Sequence, residues 1–244
     1  MALPPPSQTQ QALPFYSAEA AITASISQAQ PTLLRGATGS GKSTQIAQHI
    51  LRTIPTANVL VAQPRRLAAT SLAARVREEL PSSHSPLVGY IVRGDNTTTS
   101  RTRMTYVTYG ILLRLLSSSP TNSRYTHIVL DEIHERSVDV DLSLAYYRNS
   151  NSTSNNNPKL ILMSATIAVS KFSSYFRANI DVVEVPGRTF PVTELYLEDA
   201  IRVTRYVAPF KSFFSRSTPI AFTPVPVPVP VPPSKDDHPT LDEV

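Results

Sequence analysis

The sequence predicts an α/β domain built on a mainly parallel β-sheet with helices on both faces, flanked by proline-rich tails that are expected to be disordered. Three observations point to it. Short apolar runs alternate with helix-like segments of about 10–15 residues, the pattern of strands joined by crossover helices. A glycine-rich loop, Gly36 to Gly41, separates the first apolar run from the first helix-like segment. A carboxylate pair, Asp131-Glu132, closes a later apolar run, and open α/β sheets bind their ligands beyond the carboxyl ends of their strands.

Taken in order, Thr32–Leu34 reads as a strand and Lys42 to about Arg52 as a helix. Asn58–Ala62 is a buried-strand run, followed by a helix from about Arg65 to Leu80 with Leu72, Val76 and Leu80 four apart on one face. Met104–Val107 is a strand candidate and Ile111–Leu116 lies on a helix; His127–Leu130 and Leu160–Met163 are clear strands. Asn149–Pro158, almost all Asn and Ser, reads as a solvated loop. The expected organisation is a disordered tail over residues 1–14, one domain over 15–200, and a partly disordered tail over 201–244. Thr223–Pro233 reads TPVPVPVPVPP, an extended polyproline segment. It is either a stiff tail or, through the spacing of Pro230 and Pro233, a ligand for a protein that binds proline-rich motifs.

Composition excludes several classes. With no cysteine, the 244 residues hold no disulfide framework, no Cys-based zinc site and no thiol nucleophile. No run approaches the roughly 20 apolar residues that span a bilayer, and the N-terminus has neither a basic nor an apolar signal region. The expectation is an intracellular protein, cytoplasmic or nuclear, with no membrane partner. Net charge is +5, and 18 of the 23 basic residues are Arg, the side chain suited to bidentate phosphate contacts. That favours a polyanionic partner.

Gly36-Ala37-Thr38-Gly39-Ser40-Gly41-Lys42-Ser43 fits the phosphate-loop pattern G-x-x-x-x-G-K-[ST], with a strand before it and a helix after it. Its glycines let successive N–H groups point into one concavity, and the following helix adds the positive end of its dipole. Lys42 is placed to reach the β- and γ-phosphates and Ser43 to ligate Mg²⁺. Asp131, at a strand end about 90 residues on, is placed to hold the Mg²⁺ shell. Glu132 is placed to orient and deprotonate the attacking water.

Further segments recur in order around these two. They are QPRRLAATSLAARVREEL from Gln63, VGYIVRGD from Val88 with MTYVTYGILLR from Met104, DEIHER from Asp131, SAT from Ser164 and PGRTFPV from Pro186. Together, from about Leu13 to Asp199, they resemble the first RecA-like domain of a DEAH-type (DExH) ATP-dependent RNA helicase of superfamily 2, a P-loop NTPase. The resemblance implies ATP and Mg²⁺ as cofactors and single-stranded RNA, held by its backbone, as partner. It implies an ATP site of Gly36, Ala37, Thr38, Gly39, Ser40, Gly41, Lys42, Ser43 and Thr44, with Arg75 stacking on the adenine. Lys42, Asp131 and Glu132 would be the catalytic set. Ser43, Asp131 and Glu132 would hold the metal, partly through water. His134, Ser164 and Thr166 would couple hydrolysis to movement, and Arg65, Arg66 and Thr108 would touch the RNA.

The sequence departs from the family at Ile133, where Ala is usual, and at Tyr109, where Asp is usual. It is expected to hold one lobe, without the second RecA-like lobe and its arginine fingers, and so to hydrolyse ATP poorly alone. Two other readings are a non-catalytic nucleotide- or RNA-binding module with a docking tail, and a P-loop NTPase unrelated to nucleic acid. Turnover separates the first from the enzyme; the second leaves the Gln63 and Ser164 segments unexplained.

Overall fold

The computed structural model describes residues 3–28, 30–118, 124–151, 158–165, 169–176, 180–187 and 192–205. The chain divides into two compact units, Met1–Phe190 and Pro191–Val244. The first unit opens with helices α1 (Gln8–Gln11), α2 (Pro14–Ser17) and α3 (Glu19–Ile26). It continues with β1 (Thr32–Gly36), α4 (Lys42–Thr53), β2 (Val59–Gln63), α5 (Arg66–Glu79), β3 (Val88–Val92), β4 (Asp95–Asn96) and β5 (Met104–Thr108). Then come α6 (Tyr109–Ser118), β6 (His127–Leu130), α7 (Val138–Asn151), β7 (Lys159–Ser164), α8 (Val169–Phe176) and β8 (Asp181–Val185). The second unit contributes α9 (Leu197–Thr204), with Leu197, Ile201 and Val203 exposed.

Among the described residues the strands form one sheet in the order β4-β3-β5-β2-β6-β7-β1-β8, parallel throughout except for the β3–β4 pair. This is the expected α/β class. The alternation of side chains along each strand splits the core in two. Leu34, Val59, Val61, Ile161 and Met163 join Ile22, Ile46, Ile50, Ala73 and Val76 from α3, α4 and α5 on one face. Leu33, Leu60, Ala62, Leu160 and Leu162 join Leu112, Val140, Leu144 and Phe172 from α6, α7 and α8 on the other. Each such fully buried aliphatic side chain contributes about 1.5–3 kcal/mol. The sheet-facing side of α5 is formed by the buried Ala69, Ala73 and Val76.

Strands β3 and β8 escape the sequence reading. Both flank the central strands, both are buried on only part of their length, and Gly89 and Glu184 interrupt their apolar runs. Helix α7 runs to Asn151, so the Asn/Ser stretch begins as helix rather than loop. Propagating an existing helix adds a hydrogen bond per residue fixed, which offsets the poor propensity of Asn and Ser. Helix α9 crosses the expected boundary at residue 200, and the division falls after Phe190.

Residues 3–14 correct the expectation of a disordered tail. Ser7 and Gln10 form a reciprocal capping box, 3.3 Å and 2.9 Å, on α1. Leu3 and Phe15 are buried in the core, and Arg52 Nε donates to the Pro4 carbonyl at 2.9 Å. The prolines have little backbone freedom to lose on folding. The low hydropathy of the segment hides this, because Gln10 is buried through hydrogen bonds rather than apolar contact.

Candidate functional site

The loop between β1 and α4 turns on Gly39 and Gly41, with φ of +80° and +89°. Side chains with a Cβ rarely adopt that backbone. Its entry is tightly packed: a Cβ at Gly36 would stand 2.5 Å from the Val185 carbonyl oxygen, and one at Gly187 2.8 Å from Ala37 Cβ. The N-terminal segment braces the other side. Phe15 N–H donates to the Ser40 carbonyl at 3.0 Å, and Leu13 packs on Gly41. Lys42 bends into the curl, its Nζ donating to Gly36 O at 2.5 Å, Ala37 O at 2.9 Å and Ser40 Oγ at 3.0 Å. Burial pulls the Lys42 pKa below the usual lysine range, against the opposing pull of Asp131 and Glu132.

Across the cleft, β6 ends at Leu130 and the chain turns sharply. Asp131 is buried and held at several atoms. Its N–H donates to Ala62 O at 3.1 Å, Gln63 Nε2 donates to its Oδ2 at 2.8 Å, and Glu132 N–H donates to its Oδ1 at 2.9 Å. Its own carbonyl accepts from Tyr109 Oη at 2.6 Å. Glu132 has φ +56°, a left-handed backbone on a residue with a Cβ. That costs about 1–3 kcal/mol and persists only where the surroundings impose it. Burial and the neighbouring Asp131 charge push the Glu132 carboxyl above the ordinary carboxylate range, with His134 and Lys42 pulling it back.

His134 Nδ1 lies 3.3 Å from Glu132 Oε2, but is not aligned for a hydrogen bond. Ser164 ends β7, the strand between β6 and β1, and its Oγ is buried without a hydrogen-bond partner among the described residues. Thr166 lies outside the described residues, as does the Thr223–Pro233 segment.

A cleft of about 300 Å³ gathers the candidates: Thr38 to Thr44, Arg75, Asp131 and Glu132 all line it, together with Leu13, Glu79 and Ala165. Gly36 and Ala37 shape the loop's entry instead. Arg75 stands on the wall through Glu79, its Nε donating to Glu79 Oε1 at 3.0 Å. Glu79 Oε2 also accepts from Gln10 at 3.1 Å and from Gln45 and Gln48 at 2.8 Å each. Burial alone would raise the Glu79 carboxyl, but these hydrogen bonds outweigh it and hold it below the ordinary value.

Arg65 and Arg66 are exposed at the start of α5, and Thr108 pairs in register with Gln63, two residues before Arg65. All three therefore sit at the same end of the sheet. Arg65 Nη2 donates to Glu135 Oε1 at 2.9 Å, which joins this patch to the acidic turn. Sequence reasoning missed Gln63, Glu79, Tyr109 and Glu135 as parts of the site. Gln63 left a signal as a polar end to the apolar run VLVAQ, and Glu79 as the residue one helical turn after Arg75.

A phosphate loop after β1 and an acidic strand end after β6, separated by β7, define a RecA-like P-loop NTPase domain. Residues 16–173 match the DEAD/DEAH box helicase family, and the chain belongs to that family. Over 200 residues it is 38% identical to the DExH-box ATP-dependent RNA helicase DExH1 of Arabidopsis thaliana, covering 80% of this chain and 20% of that protein. Over 207 residues it is 38% identical to the ATP-dependent RNA helicase dhx29 of Xenopus laevis, covering 80% and 15%. Over 179 residues it is 42% identical to the ATP-dependent RNA helicase TDRD9 of Danio rerio, covering 68% and 13%. The chain thus spans a fifth or less of the length of these relatives. Among the described residues no helix is long and apolar enough to cross a membrane.

Proposed function

We propose that this chain binds ATP with Mg²⁺ and serves as the ATP-hydrolysing lobe of an RNA helicase. The observation that carries this is the single cleft lined by Lys42 and Ser43 from the loop and by Asp131 and Glu132 from the acidic turn. The donor set fits magnesium, since a hydroxyl and a carboxylate are hard oxygen ligands and the remaining positions suit phosphate and water. When bound, the ion neutralises the charge that develops on the transferred phosphoryl group.

The loop N–H groups and Lys42 hold the β- and γ-phosphates, with Lys42 exchanging its loop carbonyls for phosphate oxygens. Asp131 anchors the metal shell. Glu132, whose carboxyl burial and the Asp131 charge push above the ordinary range, is matched to accept a proton from water. Arg75 offers a flat guanidinium to the base. Arg65, Arg66 and Thr108 form the strand contact, and phosphate contacts of this kind position RNA without reading its sequence. A second lobe and a partner for the proline-rich segment complete the reading.

Calorimetry with ATP and magnesium tests it. The chain should bind; Lys42→Ala should lose binding. Glu132→Gln should keep binding and lower any turnover, basal or RNA-stimulated, by about 10²–10⁴-fold. Because the base must be ionised, the acid limb of kcat/KM should lie above the ordinary glutamate pKa. Retained binding with no turnover under any condition would assign the non-catalytic module instead.

A further inference from the structure

Tyr109 begins α6, immediately after β5, and its ring is buried to 2% exposure. From there it reaches past the end of β2 to β6, in the sheet order β5-β2-β6, and donates its hydroxyl to the Asp131 carbonyl at 2.6 Å. Asp131 is the first residue beyond β6, so the ladder supplies no partner for this oxygen. A buried carbonyl without a donor is costly. The same peptide unit, between Asp131 and Glu132, leads into the left-handed backbone at Glu132. On its other flank Gln63 holds the Asp131 carboxylate. The acidic turn is therefore tied on its β2 and β5 side, while its open side faces the phosphate loop.

We infer that Tyr109 is a positioning residue: its hydroxyl fixes the Asp131–Glu132 peptide, and through it the direction in which the Asp131 carboxylate and the strained Glu132 face the cleft. The ring itself belongs to the packing between α6 and the sheet. That packing includes Ile133 of the turn, and removing the hydroxyl alone leaves it in place, so the two roles separate by experiment. The inference rests on the proposed function for what the turn holds, namely the magnesium of the bound nucleotide.

The test uses the whole chain and the Tyr109→Phe variant, which keeps the ring. ADP and ATP affinities are measured with magnesium and with chelator. The magnesium-dependent gain in affinity should fall about tenfold, the size expected for one buried hydrogen bond. Affinity in chelator should stay within about twofold, since the loop is untouched. Amide exchange at Glu132 should quicken in the variant, with or without nucleotide. A para-aminophenylalanine at position 109, which restores a donor, should recover both readouts.

An unchanged magnesium gain in the folded variant would overturn the inference, as would an equal loss with and without magnesium. A variant too unstable to fold would do the same, because Tyr109 would then be structural only. If the unaltered chain shows no magnesium-dependent binding, the proposed function fails, and amide exchange at Glu132 alone decides the role of Tyr109.

Discussion

The cleft is bounded by two turns that solve one backbone problem differently. The phosphate loop needs positive φ at residues 39 and 41 and has glycine at both. The acidic turn needs it at residue 132 and has glutamate there. In the loop the conformation is cheap and local. In the turn it is strained, and it is held by bonds from Gln63 and Tyr109, which lie 68 and 22 residues away from Asp131 in the chain. On the proposed function a carboxylate must face the cleft here, and it cannot be exchanged for a residue that relieves the strain. Chemistry at this position therefore overrides backbone preference.

Substitutions at the glycines break the first half of that comparison. Gly36→Ala should have the largest effect on folding, about 3 kcal/mol or more, because the new Cβ meets backbone rather than a movable side chain. Gly39→Ala meets no atom within 4 Å and should cost only about 1 kcal/mol, the conformational part alone. Chemical denaturation of the two variants reads both values. Equal losses would mean that the Val185 contact at Gly36 is not rigid.

The second half is sharpened by the opposite change. Glu132→Gly should raise stability by about 1 kcal/mol, through relief of the left-handed strain, while ending turnover. A denaturant midpoint that falls instead would show that the turn carries no strain.

The smallest effect is expected at Glu135. Its ion pair with the largely exposed Arg65 lies at the surface, and such pairs contribute about 0–1 kcal/mol. Glu135→Gln should leave stability within about 0.5 kcal/mol. It should also tighten binding of a short single-stranded RNA, since Arg65 no longer has a competing carboxylate. Fluorescence anisotropy of labelled RNA measures this, and weaker binding would count against RNA contact by Arg65.

Much of this protein is written locally. The phosphate loop, its strand and its helix occupy contiguous residues, and their glycines, lysine and apolar runs announce themselves by spacing. The carboxylates after His127–Leu130 do the same, because a strand end in a parallel sheet is already a ligand-facing position. Other parts left no such mark. Gln10, Gln45 and Gln48 converge on Glu79 from two other helices, and no periodicity within one helix foretells that. Tyr109 reads in the sequence only as a departure from the family's Asp, yet the structure turns its hydroxyl toward Asp131. Residues 3–14 read as a tail because composition measures apolar content, not hydrogen bonds to a buried carboxylate.

The sequence by itself determined the α/β class, the glycine-rich loop that curls on Lys42 and the acidic pair across the cleft from it, since each depends on residues near one another in the chain. Only the tertiary structure decided how the acidic turn is braced, which glutamines reach Glu79 and where the N-terminal segment lies. Those depend on which strands become neighbours, and strand order is set by how two helix layers pack on the sheet rather than by any segment alone.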